Sequence, residues 1–211
     1  MASGKCTVSV YGEDPISMEN KAVAYRRKVT KKVEDELLSE FIAIDTETTG
    51  FSAQNDRIVE LGAVRFVDGE IVERFSSLVN PEKKISSSAS RVNHITNLML
   101  MRAPSEEEAY AEFVRFLQEA MNGKVWLCAH NASFDFRFLT NTFNRLGIPA
   151  YMKYVDTLEL CRNRVYGVRD YKQTTLAEYY GIKVEVAHRA AEDAEVCGKI
   201  LLETIRNGRL F

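Results

Sequence analysis

The chain has 211 residues, 45% of them apolar and 27% charged, with a formal net charge of −2. That length and balance suit one well-packed domain with an appendage and exclude a disordered or fibrous chain. The near-neutral charge excludes sequence-blind duplex binding through a general basic field, so any nucleic-acid contact has to come from a local surface.

Residues 1–40 differ in character from the rest. A short strand is expected at Thr7 to Tyr11, followed by "KAVAYRRKVTKKVEDELL", in which Val29, Val33 and Leu37 keep a helical spacing of four. Arg26, Arg27, Lys28, Lys31 and Lys32 run directly into Glu34, Asp35 and Glu36. This reads as a solvated helix face or connecting arm, with a phosphate-touching arm as the alternative. The N-terminus lacks the apolar core of a signal peptide, and no apolar run reaches the roughly 18 residues that cross a bilayer, so a cytoplasmic protein without membrane contact is expected. Cys6, Cys128, Cys161 and Cys197 are scattered, with no Cys-x-x-Cys pair, and read as buried thiols in a reducing compartment.

From Phe41 the pattern is α/β. Strands are expected at 41–46, in "RIVELGAVRFV" and in "EIVERFSSLV", the last two joined by Asp68-Gly69, the preferred pair of a tight type I′ hairpin. After a Ser-rich loop, Ser105 and Glu108 form a capping box ahead of a helix whose Ala109, Phe113, Phe116 and Ala120 share one face. "VWLCA" is a further strand. A helix follows from about Ser133 with Phe136, Leu139, Phe143 and Leu146 on one side; "KYVDTLEL" is a strand leading into a helix. The last long helix spans about Arg189 to Arg206 and turns Ala190, Ala194, Cys197, Leu201 and Ile205 inward. The expectation is one α/β domain at 41–207 behind an N-terminal extension, 1–40.

The chemistry begins in "FIAIDTETTG", where a buried strand runs into two acids. Alternation along a strand puts Asp45 and Glu47 on one side, about 7 Å apart along the backbone. Two adjacent carboxylates repel and are costly to bury, so they are tolerable when cations pair with them. Asp135 falls in the first turn of its helix, one turn before core-facing Leu139, and Asp193 lies one turn before Cys197. His188 precedes the last helix, and an imidazole with a pKa near 6.5 suits general-base work. Four carboxylates around one strand end suit Mg²⁺ or Mn²⁺, and two such ions clamp a phosphodiester.

"AIDTETTG", "AHNASFDFRFL" and "AHRAAEDAEV", in this order, closely resemble the three motifs of the DnaQ-like DEDDh exonuclease superfamily, which includes the proofreading ε subunit of bacterial DNA polymerase III and the exonuclease domain of PolC-type polymerases. The resemblance covers about residues 41 to 206. It implies a ribonuclease H-like fold, a mixed five-stranded sheet with strand two antiparallel, flanked by helices. It also implies stepwise 3′→5′ release of mononucleotides from single-stranded or frayed DNA ends in proofreading or repair. Asp45, Glu47, Asp135 and Asp193 would hold two metals, and His188 would take the proton of the attacking water. Contacts to the terminal nucleotide are implied for Thr48, His94, Ile95, Asn131 and Phe134. "VNHIT", Val92 to Thr96, departs from the usual Val-His-Gly-Ile-Thr, with Asn93 and His94 in the places of histidine and glycine. RNA trimming is the alternative within enzymes, and an end-binding module that docks on a DNA polymerase subunit is the alternative outside them. "CRNRVYGVRDYKQ" has the composition of a single-strand-binding loop, although a solvated loop is the simpler reading.

Overall fold

The computed structural model describes residues 21–184 and 189–207. The expected strand at Thr7 to Tyr11 and the predicted base His188 therefore lie outside the described residues. Strands β1 (Ala22–Arg26), β2 (Glu40–Thr48), β3 (Ile58–Val67), β4 (Glu70–Leu78), β5 (Trp126–Ala129) and β6 (Ala150–Asp156) form one sheet in the order β1-β6-β5-β2-β3-β4. β2 is antiparallel to β3, and β3 to β4, while β5, β6 and β1 run parallel to β2. The β3–β4 hairpin closes through Asp68 and Gly69 at φ +50° and +84°, the left-handed pair that a type I′ turn requires.

The sheet has six strands where five were expected. "AVAYR" carries no strand signature of its own, but Ala22 to Arg26 find a parallel partner in Ala150 to Tyr154 and extend the sheet by one edge. Helix α1 (Lys31–Ser39) starts only after this strand, with the Thr30 hydroxyl accepting from Val33 N. In the basic cluster Lys31 pairs with Asp35, Lys32 with Glu36 and Arg26 with Glu159. The Ser-rich loop also folds, as α2 (Ser87–Asn93) and α3 (Asn97–Leu100). Both are too short for a periodicity argument, and each is held by a hydroxyl N-cap, Ser86 and Thr96.

The helices cover the two faces of the sheet according to the alternation of β2. Ile42 and Ile44 face α4 (Glu106–Leu117) and α5 (Ser133–Arg145), where they join Tyr110, Phe113, Phe136, Leu139 and Phe143 in one apolar cluster. Phe41 and Ala43 face α8 (Ala190–Asn207), meeting Ala194, Cys197, Leu201 and Ile205. Ser105 caps α4 with the full box to Glu108. Each fully buried Leu or Ile of these layers contributes about 1.5–3 kcal/mol, so Leu201→Ala would cost about 2–5 kcal/mol. Helices α6 (Thr157–Arg164) and α7 (Gln173–Tyr180) pack beside α8 through Cys161, Leu176, Val196 and Ile200. Arg164, from the basic loop-like stretch, is committed to an ion pair with buried Glu34.

Candidate active site

β5 pairs with β2 only from Phe41 to Ala43, so beyond that point the two strands part and their carboxyl ends open a crevice. Connections leave in opposite directions here, the position where α/β sheets receive ligands. Along β2 the face that meets α8 continues from Phe41 and Ala43 into Asp45 and Glu47, where the core gives way to acid. Gly62 on β3 lies directly opposite Asp45, and Glu60 opposite Glu47; the register then shifts between Glu47 and Thr48. Gly62 is required by contact: a Cβ there would stand 2.0 Å from the carbonyl carbon of Ala190. The missing side chain lets the first turn of α8 lie against the strand and carry Asp193 in. Carboxylate oxygens of Asp45, Glu47 and Asp193 lie within 4.8 Å of one another.

Asp135 arrives from the other face. Thr46 points toward α5, and Asp135 Oδ1 accepts from both Thr46 N (3.0 Å) and the Thr46 hydroxyl (2.8 Å). It thus satisfies a backbone donor freed where β5 diverges. The carboxyl group is buried, and burial pushes its pKa up to about 7 even though the Thr46 bonds pull it down. Asp45 is raised well above the ordinary carboxylate range, first by burial and then by the charges of Asp135, Asp193 and Glu47. Glu47 is likewise pushed up to about 7 by burial, with a hydrogen bond from the Asn93 side chain opposing and the charges of Asp193, Glu60 and Asp135 adding. Mutually raised carboxyls on a shared cleft are the signature of a site built for added positive charge. Hard oxygen donors of this kind fit a divalent cation such as Mg²⁺ or Mn²⁺.

The five expected nucleotide contacts separate. Phe134 is half-buried on α5 at the cleft, edge-on to Phe51 with ring centroids 6.4 Å apart. Thr48 donates to Gly50 O at 2.6 Å and is buried. Asn131 is exposed in a left-handed conformation, its N–H given to Asp156. His94 is the left-handed C-cap of α2 and borders a polar hollow of about 510 Å³ with Arg91, Thr96 and Asn97. Ile95 differs from the nucleotide contact that the resemblance implied: its side chain is 1% exposed and packs with Val59, Ile85 and Leu100, closing a small core under α2 and α3. The ring beside Phe134 that stands exposed is Phe51, at 89%. Sequence reasoning missed it, along with Glu60, and noted Asn93 only as standing in the place of the family's histidine. An aromatic directly after "DTETTG" and a lone acid inside "RIVELGAV" were the available signals.

A mixed sheet of this order, with carboxylates gathered at the open end of its central strand, defines the class: an α/β nuclease of ribonuclease H-like fold. The chain matches the RNase_T exonuclease family model over residues 42–201 and belongs to that family. It is 38% identical over 177 residues to a DNA polymerase III PolC-type of Caldanaerobacter subterraneus subsp. tengcongensis, and 36% over 183 residues to that of Staphylococcus aureus. Each match covers 84% of this chain and 12% of the relative, so the chain spans about an eighth of the length of these polymerases. Among solved structures, Exonuclease X in complex with 5′ overhanging duplex DNA is 28% identical with TM-score 0.62, covering 79% of this chain and 91% of that one. The E. coli ExoI–ssDNA complex shares the fold at 22% identity and TM-score 0.69, covering 82% and 42%. No helix among the described residues is long and apolar enough to cross a membrane.

Proposed function

We propose that this exonuclease hydrolyses single-stranded or frayed DNA from the 3′ end, one nucleotide at a time, in proofreading or repair beside a DNA polymerase. The observation that carries the reading is the convergence of Asp45, Glu47 and Asp193 oxygens within 4.8 Å of one another, beside the buried Asp135. DNA as substrate is supported by the PolC-type relatives and by the DNA held in the Exonuclease X complex.

In this reading Asp45, Glu47, Asp135 and Asp193 would hold two Mg²⁺ or Mn²⁺ ions. Bound there, such ions would neutralise the acids and would supply an activated water and stabilisation of the leaving oxygen. His188 accepts the proton of that water. Asn93 holds Glu47 by its side chain while its Oδ1 accepts from Ile95 N at 3.1 Å, which fixes the amide and keeps the carboxylate aimed at the cleft. Phe51 and Phe134 offer aromatic faces on which the terminal bases stack.

A 5′-labelled single-stranded oligonucleotide incubated with Mg²⁺ tests this directly. Products shortening stepwise from the 3′ end, absent with Asp45→Ala and Asp193→Asn, are expected. An unchanged but bound oligonucleotide would mean an end-binding module, and faster shortening of the RNA version would make the chain a ribonuclease.

A further inference from the structure

Glu60 is the least economical residue in β3. It is 0% exposed, in a strand whose neighbours Ile58, Val59 and Leu61 are all fully buried apolar side chains. A lone carboxylate there costs several kcal/mol, and its strand partner is Glu47, another acid. The charge is met from α8. Arg189 Nε and Nη2 donate to Glu60 at 3.0 and 2.7 Å, and Ala190 N, one of the N–H groups left free at the start of the helix, donates at 3.2 Å. Asp193 N in turn donates to Arg189 O at 2.9 Å, so Arg189 and Asp193 are the two ends of one helical turn. On the far side Gln173 Nε2 donates to Asp193 O at 2.9 Å. Moving Arg189 therefore moves the carboxylate that Asp193 brings to Asp45 and Glu47.

We propose that Glu60 and Arg189 form a positioning clamp that sets Asp193 in register with Asp45 and Glu47, so that cation affinity and turnover depend on a pair that touches neither cation nor substrate. This rests on the nuclease reading above. A supporting residue of this kind changes metal affinity or activity by about 10- to 100-fold when replaced.

The test uses Glu60→Gln, which keeps volume and an acceptor for Ala190 N and leaves no buried charge unpaired, and Arg189→Lys, which at a side chain 41% exposed keeps a cation for Glu60 but removes the two-pronged contact. Mn²⁺ binding is titrated by electron paramagnetic resonance, and steady-state shortening of a single-stranded DNA oligonucleotide is measured alongside thermal unfolding. Each variant is expected to bind Mn²⁺ about tenfold or more weakly and to lose kcat to a similar degree, with KM within about twofold. The double variant should be no worse than the poorer single one, because the two act as one unit. Unchanged Mn²⁺ affinity and kcat with only a lowered Tm would overturn the clamp as a positioning device, as would a raised KM with kcat intact, which would make Arg189 a substrate contact. A wild-type protein that neither binds Mn²⁺ nor shortens DNA would overturn the nuclease reading itself.

Discussion

One oxygen of Asp135 takes both donors of Thr46, the backbone N–H at 3.0 Å and the hydroxyl at 2.8 Å. Asp135→Asn retains an acceptor there and removes a charge from a crowded cleft, so unfolding should be unchanged or shifted upward while nuclease activity falls at least about 100-fold. Asp135→Ala orphans a buried donor and should cost about 1–3 kcal/mol in chemical denaturation. Equal stability of the two variants would refute this account of the bond.

The raised carboxyls make the metal-free protein pH-sensitive. Glu47 and Asp135 both titrate at about 7 in the fold, above their unfolded values. Between about pH 4 and 7 the folded state binds more protons than the unfolded one, so stability contributed by the protonated acids is lost as pH rises through 7. In EDTA, Tm should fall between pH 5 and pH 8. Added Mg²⁺ should raise Tm more at pH 8 than at pH 5; at 100 times its Kd for a given pH the stabilisation is about 2.7 kcal/mol. Thermal scans with and without metal check both slopes.

Phe51 is exposed, so Phe51→Ala should leave unfolding unchanged. Loss of one stacked base, about 1–3 kcal/mol, should raise KM for single-stranded DNA about fivefold or more. An unaltered KM would remove Phe51 from the strand path.

Gly62→Ala places a methyl inside the Ala190 backbone. Overpacking of this kind costs about 1–3 kcal/mol, and displacing α8 should depress kcat more than KM. Normal turnover in a folded Gly62→Ala protein would contradict the contact.

The carboxylates and the Asp68-Gly69 turn were legible because local pattern decides them: a strand period of two, a helical period near four and one turn type with one preferred pair. Asp45, Glu47, Asp135 and Asp193 could be singled out as acids at positions where apolar residues belong. β1 was not legible, since "AVAYR" becomes a strand only by pairing with Ala150 to Tyr154, far along the chain. Ile95 was named only through the resemblance of "VNHIT", which carries no packing information; in the fold it is 1% exposed under α2 and α3. Glu60 was hidden by its surroundings, because a single acid in an apolar strand carries no hint of which helix will neutralise it.

β1 also governs where the polypeptide can be shortened. Its backbone occupies the hydrogen-bonding groups of β6, and Asn144 ties the strand down at both Ala22 N (2.8 Å) and Ala22 O (3.1 Å). A protein trimmed to begin at residue 42, where the family match starts, would leave the β6 backbone groups that β1 pairs with uncovered. Such unprotected margins template strands from other molecules, so the trimmed protein should self-associate more readily than the longer one.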